Sequence, residues 1–147
     1  MVRRTPIRET LPVMLHKVDL QVSDAMEAAA AQAGLSTRAV IVLSQIDSLE
    51  PKSQRELSER VGVDQTLLVA AIDELEQVGL VRRLRNPNDR RQHIVEITQA
   101  GGVVLDTADV RLSAIERQVF AKLSGAERAQ LRALLSKVLA PPGLTGQ

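Results

Sequence analysis

The chain has 147 residues, 44% of them hydrophobic, and a formal net charge of +1. That length suits one domain with a core of its own, and the near-neutral balance means that a nucleic-acid partner would have to be met by local charge. Cysteine is absent and Phe120 is the single aromatic residue, which excludes disulfides, thiolate metal sites and thiol redox sensing, requires an aliphatic core, and speaks against a stacked aromatic ligand cage.

The first residues carry charge but no long apolar run and no small-residue cleavage site, so no signal peptide is expected. No segment approaches the roughly 20 apolar residues that span a bilayer, and the expected compartment is the cytoplasm. Leu11, Leu15, Val18, Val22, Met26, Ala29 and Ala33 keep steps of three and four, the signature of an amphipathic helix. Gly34 ends it, and Ser36 caps a second helix carrying Val40, Leu43 and Ile46, with Pro51 after it.

Ser53 followed by Glu56 is a capping box. It opens a short helix with Leu57 and Val61 on one face, and Gly62 can close that helix in a left-handed conformation. Asp64 is then an N-cap for a helix with Leu68, Ile72 and Leu75 inward, closed by Gly79. Leu80, Val81 and Leu84 begin a strand, and the run from His93 to Ile97 returns it. Asn86-Pro87-Asn88 between them reads as a turn. Helix, turn, helix and hairpin in that order make a winged helix, which sets a helix in the major groove and a basic loop beside it.

From Arg82 to Arg91 there are five arginines (82, 83, 85, 90 and 91) against Asp89 alone, a concentration suited to phosphate or minor-groove contact. Between Lys52 and Thr98, however, eight basic residues face eight acidic ones. The second helix of the motif has no Arg or Lys. Its expected exposed positions are Gln65, Thr66, Leu67, Val69, Ala70, Asp73 and Glu74. Gln65 can read adenine, Thr66 can contact a base or a phosphate, and Leu67 or Val69 can pack on a thymine methyl. Asp73 and Glu74 would repel phosphate if they pointed outward. Candidate DNA-contacting residues are Ser53, Gln54, Gln65, Thr66, Leu67, Val69, Arg85, Asn88, Asp89, Arg90 and Arg91.

After the hairpin, Thr98 can cap a long helix reaching Lys122, with Leu105, Ala108, Leu112, Ile115 and Val119 in steps of three and four. Ser124 with Glu127 is a second capping box. It opens a last helix with Leu131, Leu134, Leu135 and Val138, ended by Pro141-Pro142-Gly143. These flanking stripes exceed what a lone winged helix can bury, and dimerisation through both termini accounts for them. The expectation is therefore a mainly α chain with a small β-hairpin wing: one domain over 1–147, with dimerisation helices at 10–34 and 98–140 around a winged core at 36–98.

The segments EL-x-ER-x-GVD and DELE-x-x-GLVRR, followed by Asp89-Arg90-Arg91 and then Ile97-Thr98, resemble the winged-helix domain of MarR-type transcriptional regulators. Ile97 stands where that family usually has Leu. The resemblance extends over roughly residues 10 to 140. It implies a homodimer interlaced through its first, fifth and sixth helices on pseudo-palindromic double-stranded DNA. It implies an ion pair from Asp89 to a wing arginine, with Arg91 in the minor groove and Arg90 at the tip. It also implies a small phenolic or anionic effector, for which His16 and Arg38 are the candidate polar anchors. Repressor and activator both remain open, and the alternative class is a winged-helix module that docks on protein. His16 and His93 lack neighbouring ligand motifs, and Ser44, Ser48 and Ser53 lack a His/Asp constellation, so neither metal, cofactor nor enzyme chemistry is expected.

Overall fold

The computed structural model describes residues 6–46 and 52–140. A short 3-10 turn at Ile7–Glu9 leads into α1 (Leu11–Ala31) and α2 (Thr37–Ile46), then β1 (Lys52–Ser53), α3 (Gln54–Val61) and α4 (Gln65–Gln77). The hairpin β2 (Val81–Arg85) and β3 (His93–Ile97) follows, then α5 (Gln99–Val119) and α6 (Gly125–Leu139). This is the expected mainly α chain with a β-hairpin wing. The expected stop signals at Pro51 and at Pro141-Pro142-Gly143, and Ser48, lie outside the described residues.

The caps expected from sequence form. Ser53 Oγ accepts the Glu56 N–H at 3.2 Å while Glu56 Oε2 accepts the Ser53 N–H at 2.8 Å, so two of the orphan donors at the start of α3 are satisfied reciprocally. Gly62 ends α3 at φ 71°, a left-handed conformation that a side chain would strain. Asp64 Oδ1 accepts from the N–H groups of Thr66 and Leu67 at the start of α4. Ser124 and Glu127 repeat the capping box at α6.

Two boundaries differ from expectation. α5 stops at Val119 rather than Lys122, because a tighter turn takes over: the Leu123 N–H bonds the Phe120 carbonyl at 3.0 Å ahead of the Ser124 cap. β1 was not anticipated. Its two residues pair antiparallel with β3, Lys52 opposite Val95 and Ser53 opposite Ile94, giving the sheet order β1-β3-β2.

The described chain divides inside α5 into two units, Met1–Ile115 and Glu116–Gln147. In the first, the core is wholly aliphatic. Leu43 of α2, Leu57 of α3, Leu68, Ile72 and Leu75 of α4, and Val95 of β3 are completely buried. Burying each such side chain is worth about 1.5–3 kcal/mol, so this cluster fixes α4 and the sheet against α2. Gly101, in the first turn of α5, lies against the backbone of Leu80. In the second unit, Arg132 of α6 pairs with Glu116 at 2.8 Å.

α1 is different. Leu11, Met14, Leu15, Val18 and Leu20 are all exposed in the single chain, and only Ala30 of this helix is buried. Leu134, Leu135, Val138 and Leu139 of α6 are exposed as well.

Candidate nucleic-acid interface

Fold and charge together sort the five hairpin arginines into two groups. Arg82 and Glu96 sit opposite each other on β2 and β3, and their side chains meet at 2.6 Å. Arg83 turns toward α4, where its Nη2 meets Asp73 at 2.5 Å and its Nη1 meets Glu76. Glu76 also accepts the Arg83 backbone N–H at 3.1 Å. Burial works against the Arg83 charge, but the hydrogen bonds that it donates to Asp73 and Glu76 outweigh it and raise the pKa of the guanidinium further. Arg85, Arg90 and Arg91 have no ion-pair partner among the described residues, and all three are exposed. The free positive charge of the hairpin is thus confined to its end.

The acids of α4, which weighed against a DNA-facing helix in the sequence, are engaged within the fold. Glu74 accepts the Ser36 N–H at 2.7 Å and the Ser36 hydroxyl at 2.8 Å, so it closes the start of α2. Asp73 and Glu76 hold Arg83. Expected as exposed, Glu74 is half-buried, and Val69 is half-buried too. Gln65, Thr66, Leu67 and Ala70 remain exposed. The open part of α4 is its N-terminal half, neutral and partly apolar.

The wing loop is ordered by its own short polar side chains. Asn86 Oδ1 accepts the Asn88 N–H at 2.9 Å, and Asp89 Oδ1 accepts the Arg91 N–H at 3.0 Å. Such side-chain-to-backbone bonds two residues on fix a turn. Asp89 therefore holds the Arg91 backbone, and the ion pair expected from Asp89 to a wing guanidinium is not among the described ion pairs. Of the other candidates, Gln54 is half-buried at the start of α3. Ser53 is buried as the N-cap, with its hydroxyl engaged by Glu56. Its expected DNA contact gives way to that structural role. Asn88 is exposed at the tip.

The effector anchors expected from sequence are not brought together. His16 on α1 and Arg38 on α2 are exposed, and neither lines a described cavity. A mostly apolar groove of about 190 Å³ instead opens between α1, α2 and α5, lined by Met26, Ala29, Val40, Val104 and Ala108. Its one charged lining residue is Arg111 of α5, whose Nη1 donates to the Ala29 carbonyl at 3.2 Å. Arg111 lies 82 positions from Ala29, and no local sequence signal marks that pairing.

The MarR family model matches residues 35–93, the segment holding α2, the helix–turn–helix and most of the wing. Similar folds cover nearly the whole chain. A MarR-family transcriptional regulator from Rhodococcus sp. RHA1 is 27% identical with a TM-score of 0.87, over 96% of this chain and 100% of the other. CouR from Rhodococcus jostii RHA1, bound to p-coumaroyl-CoA, is 27% identical with a TM-score of 0.84, over 96% and 99%. A mutant MarR from E. coli, complexed with operator DNA, is 25% identical with a TM-score of 0.78, over 93% and 100%.

In its matched segment and in its fold the chain resembles MarR-type winged helix-turn-helix regulators. Proteins of the MarR family are transcriptional regulators and not enzymes. No described helix of this chain is long and apolar enough to cross a membrane.

Proposed function

We propose that the chain is a homodimeric repressor that binds pseudo-palindromic double-stranded DNA and is released by a small effector. The observation that carries this is the division of charge. Arg85, Arg90 and Arg91 are left free at the wing, while every acid of α4 is engaged by a residue of the same fold. That arrangement favours DNA over a protein partner, because the acids that would repel phosphate are neutralised or turned inward. The wing, with Arg85, Asn88, Arg90 and Arg91, supplies phosphate and minor-groove contacts, and Asp89 fixes its shape. Gln54 reaches a phosphate. Gln65, Thr66, Leu67 and Val69 present one carboxamide, one hydroxyl and two apolar groups to the major groove.

The exposed apolar residues of α1 and, separately, those of α6 support the homodimer, because large exposed apolar patches mark interaction sites. Two-fold symmetry then repeats the half-site about one DNA turn away. The groove beside Arg111 supports effector control, with a mostly apolar ligand body and one anionic group as the fit. CouR holding p-coumaroyl-CoA is a relative in keeping with such control.

Fluorescence anisotropy on the chain's own upstream DNA tests this. Arg91→Ala should weaken binding to all sequences and lower the salt slope by about one for each phosphate it no longer neutralises. Gln65→Ala should shift sequence preference by about 1–3 kcal/mol at one base pair. The titration should saturate at two chains per operator. Unchanged affinity and salt slope in Arg91→Ala would refute the wing contact, and one chain per operator would refute the dimer.

A further inference from the structure

A cleft of about 260 Å³ opens where the start of α3, the start of α4 and the base of the wing converge, and its chemistry is one-sided. Gln54, Arg55, Gln65, Arg91, Gln92 and His93 line it, and no carboxylate does. The acids of the surrounding elements are each engaged. Glu56 takes the Ser53 N–H, Glu59 takes Arg55 at 3.3 Å, Asp64 takes the Thr66 and Leu67 N–H groups, and Asp89 takes the Arg91 N–H. The side chains of Gln54, Gln65, Gln92 and His93 have no hydrogen-bond partner among the described residues. Arg85 stands directly opposite His93 in the strand register, so the two share a face of the hairpin. Arg55, Arg85 and Arg91 are thus charged groups near His93 from α3, β2 and the wing loop, and Lys52 of β1, opposite Val95, lies diagonally across on the same face.

A cluster of carboxamides, guanidinium groups and an imidazole, with no carboxylate in its lining, presents donors to an anion. We propose that this cleft seats a backbone phosphodiester of the bound DNA, with Arg55, Gln92 and His93 as contacts beyond the wing tip and the recognition helix, and that His93 makes the binding pH-dependent. This rests on the DNA-binding function proposed above. Phosphate contacts of this kind hold a protein in register on the duplex without reading sequence. The exposed Arg55–Glu59 pair is no obstacle, since such pairs are worth only about 0–1 kcal/mol.

Histidine is the side chain that ordinarily changes charge between pH 5 and 8. A seated phosphate favours an imidazolium at position 93. Binding therefore takes up a proton, and affinity rises as pH falls.

The test is anisotropy of the full chain with a labelled mixed-sequence duplex of about three helical turns, in phosphate-free buffers at fixed ionic strength, between about pH 6.0 and 7.5. Wild type should gain roughly three- to tenfold in association constant on going to the acid end, the range one fractional proton per chain allows. His93→Gln should flatten that gain, His16→Gln should keep it, and Arg55→Gln should lower the salt slope by about one at constant pH. His93 and Arg55 are exposed, so a matched melting temperature for each variant confirms intact folding. DNA binding that is pH-independent in wild type, or equally pH-dependent in His93→Gln, overturns the phosphate seat and leaves the DNA-binding function standing. Absence of any binding to duplex overturns both.

Discussion

Two adjacent glycines at the start of α5 should respond to the same substitution with opposite signs. A Cβ added at Gly101 would collide with the Leu80 carbonyl oxygen and stand 2.7 Å from Ile97 Cγ1. Ile97 Cγ1 can give way only by a change of χ1 rotamer. The carbonyl cannot, because it already accepts the Thr98 N–H at 3.0 Å and belongs to the residue that leads into β2. Overpacking of this kind costs about 1–3 kcal/mol. A clash with fixed backbone lies at the upper end of that range, about 2–3 kcal/mol, and the helical preference of Ala over Gly returns about 1 kcal/mol, which leaves Gly101→Ala destabilised by roughly 1–2 kcal/mol. At about 2–4 °C per kcal/mol for a chain near this size, its melting temperature should fall by about 2–8 °C. Nothing lies within 4 Å of a Cβ at Gly102, so Gly102→Ala keeps the propensity gain and should melt about 1–4 °C higher. Thermal melts followed by circular dichroism at equal chain concentration decide it. If Gly101→Ala melts at or above Gly102→Ala, the close approach of α5 to the Leu80 carbonyl is not what demands glycine there.

Arg83→Met removes a guanidinium that ties the wing to α4 through Asp73 and Glu76, and should cost about 1–2 kcal/mol for two partly exposed ion pairs and their hydrogen bonds. Because it also frees two acids on the recognition helix, DNA affinity should drop, and a urea titration and a binding curve that both match wild type would contradict the clamp. At α3, Glu56 has its pKa lowered, chiefly by the hydrogen bond from the Ser53 backbone and then by that from the Ser53 side chain. A lowered folded-state pKa gives stability that is present above the unfolded value of about 4.3 and lost as pH falls through the lowered one. The stability difference between wild type and Glu56→Gln in urea should therefore be present at neutral pH, on the order of 0.5 kcal/mol once solvent screening of this exposed carboxylate is allowed for. It should fade below about pH 4, and a gap that persists unchanged at about pH 2.5 would remove the carboxylate as its source.

What could be read from sequence is what is local. Ser53 with Glu56, Asp64 before α4, Gly62 after α3 and Ser124 with Glu127 all act on near neighbours in the chain, so their roles are written in short motifs. The apolar periodicity likewise marks Leu68, Ile72 and Leu75 as core positions, and they are buried. Long-range pairing was not legible. Ser36 and Glu74 are 38 positions apart, and no spacing rule joins them. For the same reason Asp73 and Glu74 read as charges facing solvent, whereas they and Glu76 hold neighbouring elements. β1 escaped notice because two residues carry no alternation, and its partner Val95 lies far along the chain. His16 and Arg38 lie on helices that border the groove, but a helix has more than one face, and the charged side chain that lines it is Arg111 of α5.

The recognition helix is split along its length between two kinds of work, and this bears on how such a regulator can diverge. Asp73, Glu74 and Glu76 each hold another element in place, so substitution there is purged for stability before any effect on DNA is felt. Gln65, Thr66, Leu67, Val69 and Ala70 carry no such duty. A lineage acquiring a new operator is free to vary those five positions and almost no others on α4. Descendant regulators should accordingly differ in the first half of this helix while their second halves stay alike, a boundary drawn by folding rather than by the DNA.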